Sequence, residues 1–132
     1  MSMSKQEYIS YWIETALDNI DTAKYLFSGK KYVEALFFTH LYLEKICKAL
    51  WVQNNEQNHP PRIHNLVRLL EKSLIQLPEE DLEFLDVMNA YQIEGRYPDY
   101  MNMLHKDTNK EIAEEYIKKA KQIGECLRRK LQ

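Results

Sequence analysis

The fold is decided by the stretch Glu34-Ala-Leu-Phe-Phe-Thr-His-Leu-Tyr-Leu-Glu-Lys-Ile-Cys-Lys-Ala-Leu-Trp51. On a helical projection its apolar side chains face nearly every direction, and a helix of that kind is normally buried among other helices. Charged and polar residues interrupt it at His40, Glu44, Lys45 and Lys48. The chain has no run of about 18 uncharged apolar residues, so a membrane span is not expected. We therefore predict the central helix of a bundle and look for function among its few polar groups.

The composition favours a single all-α domain covering residues 1–132. Three glycines and four prolines in 132 residues leave few places to break a helix. The net charge of −2 gives no general argument for nucleic-acid binding, which leaves only a local basic patch to consider. The two cysteines, Cys47 and Cys126, lie in helical patterns and indicate reduced, intracellular thiols. The first residues contain no apolar signal core, so we expect a cytoplasmic protein.

The first half of the chain predicts an αα-hairpin. Ser4 and Glu7 form a capping-box pattern at the start of helix one, which runs from about Lys5 to Phe27. Gly29 ends it, since glycine adopts the left-handed conformation at a helix C-terminus without steric cost. Helix two runs from about residue 31 to residue 53, and the short connection makes the two helices antiparallel neighbours.

The second half predicts three more helices. A short helix three contains leucines from Leu66 to Leu74, and helix four begins at Pro78 and fades at Gly95. Pro98 then prevents continuation, and residues 100–107 are predicted as a loop.

Helix five begins at a second capping-box pattern, Thr108 with Glu111, and carries a regular apolar stripe. Gly124 inside this helix costs about 1 kcal/mol relative to alanine, which indicates close packing on a neighbour. The predicted architecture is an up-and-down antiparallel bundle of about five helices.

The polar residues of helix two allow two interpretations. Glu44 and Lys48 are four residues apart, in the better orientation for an ion pair. They could simply cover the end of a buried helix, or they could line a polar pocket for a phosphate or a nucleotide. His40 lies on the same face, and a lone histidine there is more often a hydrogen-bonded core residue than a ligand.

The loop before helix three carries two more histidines, His59 and His64. They have no cysteine or acidic partner at metal-ligand spacing, so no metal site is expected. Asn65 suits the N-cap of helix three, which gives His64 a structural interpretation that competes evenly with a functional one.

Residues Arg96-Tyr97-Pro98-Asp99 form the most informative local string. They place an anion donor, a stacking ring and an acceptor around a proline that fixes the backbone. The competing interpretation is a turn locked by an Arg–carboxylate pair. Glycine-rich phosphate loops, nucleophile signatures and zinc-finger spacings are all missing, so no cofactor is expected.

These residues together resemble the HEPN domain, named for higher eukaryotes and prokaryotes nucleotide-binding. The resemblance covers nearly the whole chain, and the family's usual His-Asp-Leu appears here as His64-Asn65-Leu66. The strings that carry it, in order, are Trp12…Ala16…Asp18, Glu34-Ala35…Glu44-Lys45…Lys48-Ala49-Leu50, His64-Asn65-Leu66 and Tyr91…Arg96-Tyr97-Pro98-Asp99.

The resemblance implies an up-and-down helical bundle that often forms a homodimer, and the fifteen aromatic residues, nine Tyr, four Phe and two Trp, favour an interface. It also implies partnership with a minimal nucleotidyltransferase, in some members as a toxin–antitoxin pair. Many members are metal-independent RNases with an Arg followed by a His after four to six intervening residues. Here eight residues separate Arg96 from His105 and one separates Arg62 from His64. The RNase activity is therefore not carried over by this motif.

Two hypotheses follow. The first is a non-enzymatic module that binds a nucleotide or a nucleotidyltransferase, with phosphate held by Arg96 and Lys48 and a base stacked on Tyr97. Its site comprises Arg96, Tyr97, Asp99, Glu44, Lys48 and His64. The second is a metal-independent RNase in which Arg96 stabilises the phosphorane and His105 or His64 is the general base. The unusual Arg–His spacing ranks the RNase second.

Overall fold

The computed structural model describes residues 3–92 and 97–132, and within them the chain is an all-α bundle without strands. The predicted fold class is confirmed. A 3₁₀ turn, Asn89–Tyr91, directly follows the fourth helix. The α-helices are α1 (Lys5–Ser28), α2 (Tyr32–Asn54), α3 (Leu66–Lys72), α4 (Glu79–Met88), α5 (Pro98–Asp107) and α6 (Lys110–Arg128).

Helix α2 is the centre of the bundle, as its all-round apolar pattern predicts. It packs against α1, α3, α5, α6 and the 3₁₀ turn. Most of its aliphatic residues are buried, and Leu36, Leu43 and Leu50 have no exposed surface. Because neighbours surround α2, its polar residues also lie inside the protein, and Glu44 and Lys48 are both buried.

Helices α1 and α2 form the predicted antiparallel hairpin. The capping box at Ser4 and Glu7 is present. Gly29 has φ −85°, and the left-handed residue is instead Lys30 with φ 63°. The predicted end of helix one at Gly29 is confirmed, but the left-handed conformation expected there was wrong, because Lys30 adopts it one residue later.

The N-terminus of α1 is tied to the C-terminus of α2. The Lys5 ammonium donates to the carbonyl oxygens of Val52 at 2.7 Å, Asn55 at 2.7 Å and Gln57 at 3.3 Å. The last carbonyls of an α-helix lack partners within the helix. Here the Lys5 side chain of α1 donates to a carbonyl in the last turn of α2 and to carbonyls just beyond it, and these bonds fix the register of the hairpin.

Helix α6 packs along α2 and runs in the same direction. Its C-terminal end lies beside the end of α2, where the Gln53 side chain donates to the Lys130 carbonyl at 3.1 Å and accepts from the Gln132 amide at 2.8 Å. Earlier in α6, Gly124 lies directly against the buried Tyr42 ring, with no room for a Cβ atom. The predicted close packing at Gly124 is confirmed.

Three local predictions were wrong. Residues 100–107 belong to helix α5 rather than to a loop, and Pro98 occupies its first turn, where a missing N–H costs nothing. Leu74 lies beyond α3 in a left-handed conformation, φ 62°, and is 76% exposed. The cap of α6 is Asn109, whose side chain accepts from the Ile112 amide, while the Thr108 hydroxyl bonds Tyr91 at 2.8 Å. The predicted extent of helix four to Gly95 was also wrong, because α4 ends at Met88 and the backbone is already extended at Gln92; Gly95 itself lies outside the described residues.

No helix of residues 3–92 and 97–132 is both long enough and apolar enough to cross a membrane.

Candidate functional site

One buried carboxylate, that of Glu44, gathers the polar residues of the bundle interior. Its Oε2 atom accepts from the Lys48 ammonium at 2.8 Å. Its Oε1 atom lies 3.1 Å from His64 Nδ1 and 3.8 Å from His40 Nδ1. The Glu44 side chain is 6% exposed, so these contacts are shielded from water. We refer to Glu44, Lys48, His64 and His40 as the Glu44 cluster.

The segment before α3 brings His64 to α2. Asn65 caps α3 by accepting from the Arg68 amide, which confirms the predicted N-cap. The next amide, that of Leu66, donates to the Asn89 side chain at 3.0 Å. The cap on one side and Asn89 on the other thus fix the start of α3 and present the His64 ring to Glu44. His64 and Glu44 are 20 residues apart in the chain.

Helix α1 covers the Lys48 side of the cluster. The Lys48 ammonium lies 5.4 Å from the centre of the Trp12 ring, a cation–π distance. Lys45, one turn before Lys48, is half-buried between Glu44 and Asp18, and partial burial lowers its pKa below the usual value. The negative charges of Glu44 and Asp18 oppose this shift, while Lys48 adds to it.

His40 forms the innermost part of the cluster. It is 2% exposed, and burial lowers its pKa, a shift that nearby Glu44 and Asn89 oppose. Its Nε2 atom has no well-directed hydrogen bond to any described residue, although the Asn89 side chain lies beside the ring. The expected core position of His40 is confirmed. Its neutral form is favoured, so the ring can accept or donate but does not add a buried positive charge.

The Arg-Tyr-Pro-Asp string is only partly described. Arg96 lies outside the described residues. Tyr97 precedes α5 with 75% of its surface exposed, and Asp99 is exposed in the first turn. Among the described residues no hydrogen bond or ion pair joins either of them to Glu44 or Lys48. The start of α5 is nevertheless held beside the cluster.

That attachment runs through Tyr100, whose hydroxyl donates to the carbonyl of Ala90, next to Asn89. Asn89 in turn borders both His40 and the start of α3. This chain of contacts runs from the half-buried Tyr100 to the buried His40 of the Glu44 cluster.

The other two histidines lie elsewhere. His105 Nε2 is 3.9 Å from Glu34 near the N-terminal end of α2, and both side chains are about half exposed, at 51% and 42%. His59 contacts the edge of the Tyr8 ring, with ring centres 5.1 Å apart. Among residues 3–92 and 97–132, no three His, Cys, Asp or Glu side chains are grouped so that they could hold a metal ion.

Sequence reasoning missed three contributors to this site. Trp12 belongs to the apolar stripe of α1, so its contact with Lys48 depends on how α1 packs on α2. Asn89 follows helix α4 with no motif to mark it. Lys45 appears solvent-facing in a helical pattern but is half-buried, and the charge of Asp18 on α1 acts on it. Each of these residues joins the site through a packing contact with another part of the chain, and the residue spacing within one helix does not predict such contacts.

The Glu44–His64 contact has a definite chemical meaning. A carboxylate that accepts from His Nδ1–H fixes the ring orientation and assigns the proton of the neutral ring to Nδ1. Nε2 is then the basic nitrogen. The His64 side chain is 34% exposed, so the ring bridges the buried carboxylate and the surface.

Comparison with known proteins supports the fold. The HEPN domain family model matches residues 9–130. The crystal structure of TT1696 from Thermus thermophilus superposes with a TM-score of 0.77 at 24% identity, covering 93% of this chain and 98% of that one. The crystal structure of ST0689, described as an archaeal HEPN homologue, gives a TM-score of 0.70 at 21% identity, with 94% and 98% covered. At these identities the likeness establishes a shared fold. No curated protein sequence matches the chain significantly.

Proposed function

Because the chain belongs to the HEPN domain family, we propose that it is a non-enzymatic binding module for a nucleotide, a minimal nucleotidyltransferase partner, or both. In this proposal it operates as a homodimer within a toxin–antitoxin type system. The site assigned to this function comprises Glu44, Lys48, His64, Arg96, Tyr97 and Asp99.

The observation that carries the proposal is the buried Glu44 cluster. Buried ion pairs contribute little net stability, and apolar replacements of similar size are often neutral or stabilising. A cluster that joins α2 to the start of α3 is therefore poorly explained by stability alone. Its evident effect is to hold His64 in one orientation at the surface, which is what a recognition site requires.

The contacts divide the six residues into two roles. Glu44 and Lys48 are buried and bonded to each other, so they act by fixing His64 rather than by meeting the ligand. The ligand would contact His64, Tyr97 and Asp99, together with Arg96, whose role rests on the sequence argument alone. Tyr97, at 75% exposure, offers an open ring face for a base.

The exposed side of α5 favours a protein partner as well. Met103 is 52% exposed on this helix, and only one residue of α5, Leu104, is fully buried. Aromatic residues and methionine are enriched at protein interfaces. A nucleotidyltransferase seated on α5 would cover Tyr97 and Met103 and lie next to His64.

The test is a thermal shift with ATP, GTP and UTP, each at a large excess. A ligand at about 100 times its Kd stabilises the folded state by about 2.7 kcal/mol, an upward shift of roughly 10 °C. We expect Tyr97→Ala to weaken the shift. The matched control is Tyr25→Ala, which removes a similarly exposed ring, 82%, from α1 and should leave the shift unchanged.

Absence of a shift with every nucleotide would refute nucleotide binding and leave the protein partner. That partner is tested by co-elution of this chain with a purified minimal nucleotidyltransferase, compared with the Met103→Glu variant. A wild-type chain that elutes as a monomer at micromolar concentration would contradict the homodimer.

A metal-independent RNase is the second candidate, favoured by one observation. The Glu44–His64 pair has the arrangement of a carboxylate-oriented general base, whereas His105 has only a 3.9 Å approach to an exposed glutamate. Incubation with labelled RNA in EDTA separates the two functions. Cleavage that disappears in Arg96→Ala and His64→Gln but persists in His105→Gln would establish the RNase and overturn the binding module.

A further inference from the structure

A groove of about 490 Å³ lies between α1 and α6 and shares no residue with the site assigned above. It exists because both helices pack on α2 and touch each other only lightly. Its apolar part consists of Phe27, which is half-buried, and Ile117, which is 8% exposed. Volumes of this size are typical of small-molecule sites.

Lysines dominate the polar part of the groove. Lys24 comes from α1, and Lys118 and Lys121 come from consecutive turns of α6. Lys24 and Lys121 line the groove from opposite helices, and the nearby Lys24 amine lowers the pKa of Lys121 below its usual value, a shift that Glu125 and Asp21 oppose. Neighbouring ammonium groups repel each other. The arrangement becomes favourable when an anion lies between them.

The acidic residues of the groove do not cancel this charge at its centre. Glu114 and Glu125 also line it, one turn before Lys118 and one turn after Lys121. Along α6 the order is therefore acid, base, base, acid. Lys24 of α1 adds a third positive charge to the lining, opposite the central pair, and Asp21 of the same helix offsets part of it.

We propose that this groove is a binding site for a small organic anion that carries an aromatic or apolar body. The anionic head lies between Lys24 and Lys121, and the body lies on Phe27 and Ile117. The uncharged side chains of Ser28 and Gln122, which also line the groove, complete the hydrogen bonding of the head. A phosphate or a carboxylate satisfies the lysines equally, and the apolar floor supplies the selectivity for an organic body over a bare ion.

Phenyl phosphate is the probe, with inorganic phosphate as the head alone and benzyl alcohol as the body alone. Amide chemical shifts of the wild-type chain should change saturably around residues 27–28 and 117–122 with phenyl phosphate, and at least about fivefold more weakly with either half. The Lys24→Gln/Lys121→Gln double variant should lose at least about fivefold in affinity. Lys121→Arg keeps the charge and should retain binding.

Lys110→Gln is the control, because it removes the same charge from the exposed start of α6. Equal weakening by Lys110→Gln would reduce the effect to general electrostatics and overturn the site. So would shifts that never saturate, or inorganic phosphate binding as tightly as phenyl phosphate. Probe-free shifts of the same residues that depend on protein concentration would assign the groove to a second copy of the chain instead. Because the probe is not a nucleotide, none of these outcomes bears on the function proposed around Glu44.

Discussion

Replacing Glu44 by glutamine removes one charge from the middle of a buried network without removing volume. The Glu44 side chain is 6% exposed and its partner Lys48 is 10% exposed. Removing one member of a buried ion pair costs about 3–5 kcal/mol, because the other charge stays desolvated. Lys48 keeps its contact with the Trp12 ring, at 5.4 Å, which partly compensates. We therefore expect a loss near the lower end, about 3 kcal/mol.

The companion change is Lys48→Met, which keeps the length of the side chain. Glu44 then retains His64 at 3.1 Å, so the loss should be smaller, about 2 kcal/mol. Independent effects would sum to about 5 kcal/mol in the double variant. Since the double variant buries neither charge of the pair, we expect it to lose less than Glu44→Gln alone, about 2 kcal/mol, which is a coupling of about 3 kcal/mol.

The assay is urea unfolding at pH 7 followed by circular dichroism, with the same four proteins compared by thermal melting. A loss of about 3 kcal/mol corresponds to roughly 12 °C in Tm for a domain of this size. Glu115→Gln is the matched control. It removes an exposed carboxylate four residues before Lys119 and should change stability by less than about 0.5 kcal/mol.

Two results would refute this reasoning. A Glu44→Gln variant as stable as the Glu115→Gln control would mean that water already reaches the Glu44 carboxylate. Strictly additive losses in the Glu44/Lys48 double-mutant cycle would mean that the two side chains do not interact. The Glu44 cluster would then not be what positions His64.

Three further predictions test the packing. Gly124→Ala should lower the free energy of unfolding by about 1–2 kcal/mol in urea, because overpacking against the buried Tyr42 ring outweighs the gain in helix propensity. In the control Gly29→Ala the new Cβ would make only ordinary contacts at 3.6 Å, so that variant should be neutral or slightly more stable, and equal effects of the two changes would contradict the close approach at Gly124. In a Cys126→Ser background, Cys47 should not react with a thiol reagent until urea unfolds the chain, because burial raises the pKa of the Cys47 thiol to about 12. Rapid labelling of the folded protein would disprove this. Because the pKa of His40 is lowered in the folded chain, the unfolded chain binds a proton below pH 6.5 that the folded chain does not, and the free energy of unfolding should fall by up to about 1.4 kcal/mol per pH unit below pH 6.5. His40→Gln should flatten that slope in urea unfolding at several pH values, and an unchanged slope would show that the ring titrates normally.

The sequence predicted best those features that depend on residues within a single helix. The apolar circumference of α2 can only be buried by surrounding it, so its central position follows from its residues. The caps at Ser4 and Asn65 are equally local, since each side chain bonds an amide three residues ahead. The same locality explains the prediction of the Glu44–Lys48 pair, which spans one helical turn.

The missed helix shows where local reasoning fails. Helix α5 has one fully buried residue, Leu104, and its polar residues outnumber its apolar ones. A stripe of three or four apolar residues, the usual sign of a surface helix, is therefore weak in it. Pro98 suits the first turn, a local signal that also fits the end of the preceding segment, whereas the hydrogen bond from the Tyr100 hydroxyl to Ala90 is a tertiary contact that no local pattern contains.

The candidate site is likewise half predictable. Spacing supplies Glu44 and Lys48, and the family resemblance supplies His64 and the residues from Arg96 to Asp99. The contact of His64 with Glu44 spans 20 residues and depends on the path of the loop before α3. No pattern within either segment encodes that path, so it required the structure.

The attachment made by Lys5 has a practical consequence for anyone who shortens or labels this chain. The Lys5 amine donates to three carbonyl oxygens at the C-terminal end of α2, and a shortened chain that starts at Gln6 would leave all three without this donor. Amine-directed dyes that react at Lys5 would do the same damage. A reporter placed after Gln132 leaves these three hydrogen bonds intact, whereas one near Glu56 would disturb the carbonyls of Asn55 and Gln57.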